Sequence, residues 1–252
     1  HHLTNRRQRQ MCIRDSGQIL ISLVDGQTID LGAFGLSGGA PANFETNVGS
    51  SSQITGDSSL DSVTAILTTN NGDTVVMNGS AVVNGNTITN TGTGNALSST
   101  QPATNVELQI NNNTLIGGSN GAGLAIDGSG TGTVTITSFS GNNIRAAGTN
   151  GIDITDVTFD ADLATAGIQQ VSGGNTVIGV DAANRVQGDG LRLNNVLGDI
   201  NFTNLTIFNN NGTGLFVRDA GGKAGTFSIA TGGGNVDTTN GTAVDIDPVL
   251  AN

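Results

Sequence analysis

The feature that most limits how this chain folds is a short unit that returns six times. Each copy is an Asn-rich stretch, a turn of small residues and a brief aliphatic strand. Copies begin at Asn86 (NTITNTGTGNAL), Asn113 (NTLIGGSNGAGL) and Asn143 (NIRAAGTNGI). Later copies run from Asn175 (NTVI) to Leu191 (GDGL), from Asn209 (NNNGTGL) to Leu215, and from Asn235 (NVD) to Ala243 (NGTA). Anchored on the first strand residue, Ala96, Leu124, Ile152, Leu191, Leu215 and Ala243 are separated by 28, 28, 39, 24 and 28 residues. A period in the twenties with such short strands fits one coil of a parallel β-helix. Each coil there buries an apolar face that it cannot bury alone. The longest spacing predicts a coil with an insertion, placed within Leu163 to Gly188.

Side-chain alternation supplies the register. Leu124 and Ile126 are expected to point inward, with Ala125 and Asp127 outward. The same parity puts Ile152 and Ile154 inside with Asp153 outside, and Leu191 and Leu193 inside with Arg192 outside. Leu215 and Val217 go in, and Phe216 and Arg218 go out. Seven Asn-Gly pairs, at Asn71, Asn78, Asn84, Asn120, Asn150, Asn211 and Asn240, serve corners where the chain needs φ > 0. An Asn recurring at one corner is expected to stack into a hydrogen-bonded ladder. The Asn-x-Ser/Thr triplets at Asn78, Asn112, Asn201, Asn204, Asn211 and Asn240 are read as the same turn chemistry. The fold class expected is therefore all-β, a right-handed parallel β-helix of roughly eight coils, uncapped at its ends. A β-sandwich is the structural alternative.

Composition narrows the function classes. The chain has no Trp or Tyr, so carbohydrate-stacking platforms of the usual kind are missing. The longest apolar run, Ile19 to Val24, is interrupted by Ser22 and is far too short to span a bilayer as a helix.

The front of the chain differs from everything after it. Arg6 to Ser16 reads RRQRQMCIRDS and holds four of the nine basic residues and the single Cys, just behind His1 and His2. That Cys and the two histidines lack metal-site spacing, and Met11-Cys12-Ile13 is too short for the apolar core of a secretory signal. The eleven residues instead match one reading frame of the adaptor used in transposase-based sequencing libraries. Residues 1–16 are accordingly read as a non-native head, 17–60 as strands leading into the solenoid, and 61–252 as the β-helix repeats. On that reading the sequence starts inside its gene, and the remaining protein has neither Cys nor His. The charge is −11 over the whole chain and −14 from Gly17 onward, with 5 basic against 19 acidic residues. An excess of that sign repels phosphate backbones and anionic lipid, which argues against nucleic acid as a partner.

Segments such as Asn86-Thr-Ile-Thr-Asn, Asn120-Gly-Ala-Gly-Leu-Ala-Ile and Asn211-Gly-Thr-Gly-Leu-Phe-Val resemble right-handed parallel β-helix repeats of the pectate-lyase-like type. They come closest to the Gly/Asn/Thr-rich repeat regions of large bacterial surface proteins, including autotransporter-like passengers. Gly26 to Leu36 resembles the segment that often precedes such coils. The resemblance implies a structural or adhesive stalk, extracellular or at the bacterial surface, whose partners are host or cell-surface glycans or proteins and further coils of the parent chain. The same fold also hosts polysaccharide lyases and glycoside hydrolases, which makes a carbohydrate-active enzyme the alternative.

An enzyme of that kind needs charged groups in register. A hydrolase needs two carboxylates about 5–10 Å apart; Asp153, Asp156, Asp160 and Asp162, or Asp245 with Asp247, are available. A lyase needs a basic residue beside an acidic cluster, and Arg192 and Arg218 flanking Asp153 and Asp245 make the best constellation. The competing reading is a set of solvating charges on an exposed sheet. No cofactor is expected beyond weak Ca²⁺ binding by an acidic surface, because Gly232 to Asp237 and Gly117 to Gly121 lack the calcium β-roll pattern.

Overall fold

In a computed structural model, residues 72–77, 79–218 and 226–247 are described in full. Seven earlier stretches are described as strand backbone only: β1 Cys12–Arg14, β2 Gln18–Ser22, β3 Thr28–Asp30, β4 Phe44–Val48, β5 Gln53–Thr55, β6 Ser58–Asp61 and β7 Thr64–Leu67. The readings of the head and of 17–60 thus lie largely outside the described residues, as do the Asn-Gly pair at Asn71 and the Asn at 78. Strand β1 lies antiparallel to β2.

From there on every pairing is parallel, and the described residues contain no helix. The chain is a parallel β-solenoid of about six turns. Each turn visits three faces in the same order. The first face carries β9 (Ala81–Asn84), β12 (Val106–Asn111), β15 (Val134–Ser140) and β18 (Val157–Phe159). The second carries β10 (Thr87–Asn90), β13 (Thr114–Ile116) and β16 (Asn143–Ala146). The third carries β8 (Val75–Val76), β11 (Leu97–Thr100), β14 (Leu124–Asp127), β17 (Ile152–Thr155) and β20 (Leu191–Asn194). Strand β19 (Val171–Ile178) joins the first two faces, and β21 (Leu197–Arg218) runs through all three. The last turn is β22 (Phe227–Thr231) and β23 (Gly234–Asp247), both paired to β21. About six turns stand against the roughly eight expected over the whole chain, since the residues described in full run from 72 to 247; coil lengths are 27, 28 and 39 residues at Leu97↔Leu124, Leu124↔Ile152 and Ile152↔Leu191.

The inward column on the third face is the predicted one. Leu124, Ile126, Ile152, Ile154, Leu191 and Leu193 are buried in a single apolar core, with Leu215 and Val217 packed against it. Two anchors were misplaced. Leu97 pairs with Leu124 and Leu215 with Val244, so Ala96 and Ala243 sit one residue before the strand position given to them. They occupy the place held elsewhere by Gly123, Gly151, Gly190 and Gly214. A Cβ on these four would lie 2.2–2.4 Å from Ile144, Ile178, Ile207 and Val236 of the second face. The glycine before each inward aliphatic is therefore a space requirement of the facing sheet in these four coils; Ala96 and Ala243 take the position in theirs, and Thr74 takes it in the coil before Ala96.

The expected Asn ladder is present and buried. Asn113 Oδ1 accepts from the backbone N and Nδ2 of Asn86 at 3.0 and 2.9 Å, and Asn142 Oδ1 accepts from the same two groups of Asn113 at 3.2 and 3.1 Å. Asn113 Nδ2 and Asn142 Nδ2 donate to the carbonyls of Val83 and Ile110. The third rung is Asn142, not Asn143, because Asn143 pairs with Thr114 and Asn142 thus aligns with Asn113. Of the sequons, Asn112 sits at a corner with φ 55°, whereas Asn201, Asn204, Asn211 and Asn240 lie within β21 and β23.

Gly151→Ala is expected to destabilise the chain by roughly 2–3 kcal/mol in urea unfolding. Its new Cβ would meet Ile178 Cγ2 at 2.2 Å and the Gly190 carbonyl at 2.7 Å. Adding Ile178→Ala is expected to cost less than the two single changes summed, and strict additivity would contradict the contact.

Candidate functional site

Successive coils place Ala125, Asp153, Arg192, Phe216 and Asp245 at one outward position of the third face. Two residues further along, Asn194, Arg218 and Asp247 stack in the same way. All four residues singled out by charge, Asp153, Arg192, Arg218 and Asp245, thus share one face as expected.

The geometry is two arginines, with three ion pairs between them and nearby carboxylates, around one aromatic ring. Arg192 Nη1 donates to Asp153 Oδ1 at 2.9 Å, and Arg192 Nε lies 3.9 Å from Asp189 Oδ2. Arg218 Nη2 lies 3.5 Å from Asp245 Oδ2. The Phe216 ring has the guanidinium of Arg192 at 5.5 Å and that of Arg218 at 4.8 Å. Phe216 is therefore no isolated exposed aromatic; it bridges two cations through the electron-rich face of its ring. The carboxylates are occupied as well. Asn150 Nδ2 donates to Asp153 Oδ2 at 2.8 Å, Asn150 Oδ1 accepts from Asp189 N at 2.9 Å, and Asp189 Oδ1 accepts from Thr213 N at 2.6 Å. Asn150 and Asp189 are corner residues whose part in this network single-strand parity does not reveal.

The other carboxylate candidates disperse. Asp156 takes a left-handed corner with φ 58°, its Oδ1 accepting from Asn195 Nδ2. Asp160 is buried at the base of a loop, where Oδ1 accepts from the backbone N of Asp162 and Gln169. Asp247 stays on the outer face of the last strand. Among the described residues, no group of three His, Cys, Asp or Glu is placed to hold a metal ion, and no helix is long and apolar enough to cross a membrane.

The predicted insertion is real, and it is two insertions. Phe159 to Val171 spans 12 residues where their partners Gly198 and Ile200 are 2 apart. Ile178 to Leu191 spans 13 where Ile207 and Leu215 are 8 apart. The excesses of 10 and 5 account in full for the difference between the 39-residue coil and the 24-residue coil after it. The second excursion carries Arg185, whose side chain is 10% exposed. Its Nη1 donates to the carbonyls of Asn209 and Asp237, its Nη2 to Asp237 Oδ2 at 2.7 Å, and its guanidinium lies 5.6 Å from the Phe208 ring. One side chain thus fastens two later coils. The sequence carries no local signal for this clamp, because its acidic partner lies 52 residues away.

Both excursions are shaped by aspartates. The Thr165 hydroxyl, then the Ala164 amide, holds the Asp162 carboxyl below its ordinary 3.8, and the Ala183 and Asn184 amides do the same for Asp181.

Comparison with known proteins adds no identity: no protein-family model matches the chain, and no curated protein or solved structure is detectably similar to it.

Arg185→Ala is expected to cost about 2–3 kcal/mol, since charge-assisted bonds to two coils are lost. Arg192→Ala, at a partly exposed pair, is expected to cost about 1 kcal/mol or less, and less still in high salt. Equal losses in chemical unfolding would contradict this ranking. A carboxyl depressed on folding stabilises above its unfolded value, and that contribution is lost as pH falls through the folded one. Amide-exchange protection at Ala164 and Ala183 is therefore expected to drop selectively below pH 3.8. Unchanged protection there would contradict the assignment.

Proposed function

We propose that this chain is a non-catalytic scaffold: a rigid stalk or adhesive passenger segment of a larger secreted or surface-attached bacterial protein. In this reading the solenoid winds to the right and continues into further coils of the parent chain, as in the pectate-lyase-like repeats that the sequence resembles. The observation that carries the reading is the saturation of the charged row. Each cation that would serve a lyase as base is held by a carboxylate and by Phe216, with Asp153 and Asp189 further tied to corner groups. A group so engaged stabilises coil stacking, since outward neighbours of opposite charge meet across adjacent strands. It is poorly placed to take up a proton from a substrate. The acidic surface supports weak calcium association at most.

The Asp153–Arg192 pair beside Asp189 is the one feature that favours the second reading, a polysaccharide lyase or glycoside hydrolase on this fold. The two separate in one assay. Incubation with uronate and neutral polysaccharides is expected to yield neither unsaturated products nor new reducing ends. Turnover that disappears in Arg192→Ala or Asp153→Ala would establish the enzyme instead.

A further inference from the structure

Asn followed by Gly can modify itself without an enzyme, because glycine leaves its amide nitrogen unshielded and its backbone free to turn. The glycine nitrogen attacks Cγ of the Asn side chain, loses its proton to solvent and expels the side-chain nitrogen as ammonia. A cyclic imide results, which water then opens. Breaking the new Cγ–N bond leaves Asp. Breaking the original peptide C–N bond leaves isoaspartate, whose backbone runs through Cγ and is one carbon longer. The attack needs a released glycine N–H and a carboxamide able to swing onto it.

Three Asn-Gly corners differ in where these groups are held. At Asn150, the Gly151 N–H donates to the Asp189 carbonyl of the next coil at 2.8 Å. Asn150 Oδ1 accepts from Asp189 N at 2.9 Å, and Nδ2 donates to Asp153 Oδ2 at 2.8 Å. At Asn84, the Gly85 N–H donates to the Asn111 carbonyl at 2.9 Å, again one coil on. Asn84 Oδ1 accepts from Asn112 Nδ2 at 3.2 Å. Reaction at either corner must break bonds between coils. Asn120 is held differently. The Gly121 N–H donates at 3.1 Å to Gly118 O of its own coil, closing a turn around the exposed Ser119 and Asn120. Opening that turn leaves Gly118 N bonded to Gly94 O at 2.8 Å and Gly148 N bonded to Gly118 O at 3.0 Å.

We propose that Asn120 is a site of spontaneous deamidation, with water as the only co-reactant, and that coil stacking protects Asn84 and Asn150. A local turn opens at far lower free energy than a ladder of bonds between coils, and the reaction proceeds from the open state. The product acts on the following coil. Gly148 N donates to Gly118 O and Thr149 N donates to Gly121 O at 3.2 Å, one bond on each side of Asn120. Isoaspartate lengthens the chain between those two carbonyls, so the two bonds cannot both persist. The reaction needs no ligand and is independent of the scaffold reading.

The test ages the full chain in mildly alkaline buffer, with and without denaturing urea. Peptic digestion at acid pH, where the reaction is slow, precedes tandem mass spectrometry. The spectra read the replacement of side-chain nitrogen by oxygen at each Asn, and an isoaspartyl methyltransferase reports the isoaspartate share. In the folded chain Asn120 is expected to convert at least about tenfold faster than Asn84 or Asn150. In urea the three are expected to react at comparable rates. Folded-state rates at Asn84 or Asn150 equal to that at Asn120, or no conversion at Asn120, would overturn the site. Amide exchange at Gly148 and Thr149 is expected to quicken in the aged chain but not in Asn120→Asp, which carries the charge without the added carbon. Unchanged exchange on ageing, or equal quickening in Asn120→Asp, would overturn the effect on the stack.

Discussion

The structure rests on the hydrogen bonding of each coil to the next along its whole backbone. Parallel pairing fixes equivalent residues of successive coils about 4.8 Å apart. Every position in the repeat is thus judged against its own counterpart above and below. An inward aliphatic meets another aliphatic, as in the stack Leu97, Leu124, Ile152, Leu191 and Leu215. A buried Asn meets another Asn, whose carboxamide offers both the donor and the acceptor that a repeated polar group needs. The ladder of Asn86, Asn113 and Asn142 is satisfied for that reason, and its members are at most 1% exposed. Where Thr176 takes the aligned position in the next coil, its hydroxyl turns back to the Gly173 carbonyl and the ladder ends.

The same constraint explains which parts of the fold were legible in the sequence. Inward and outward parity on the third face could be read because alternation is local, and the charged row could be read with it. The glycine before each strand was visible as a recurring letter, but its cause lies on another face, in Ile144, Ile178 and Ile207. With that cause hidden, Ala96 and Ala243 passed for strand residues. The 39-residue gap was visible as well, yet its division into two loops depends on register with β21. The Arg185 clamp was the least accessible, since it depends on a residue two coils later.

Outward positions obey a looser version of the rule. Identical charges stacked at coil spacing repel, so an acidic chain must interleave its carboxylates with other groups. On the third face the order Asp153, Arg192, Phe216, Asp245 does this, with Arg218 reaching the same ring from two residues along. In three dimensions its members satisfy one another.

At the last coil the rule has nothing further to act on among the described residues. Leu215 and Val217 are half-buried beneath β23, and their counterparts Val244 and Ile246 are 48% and 40% exposed. Burial therefore falls along one column from complete at Ile152 to partial within three coils, although side-chain type hardly changes. Stability in such a stack is a sum over neighbours, so among the described residues the last coils hold fewer stabilising contacts than the centre. Arg185 is positioned where that deficit begins: it binds the carbonyls of Asn209 and Asp237 and joins the two least-buried coils to an excursion from the interior of the stack. The 39-residue coil that interrupts the repeat thus also ties the two coils that follow it to the interior of the stack.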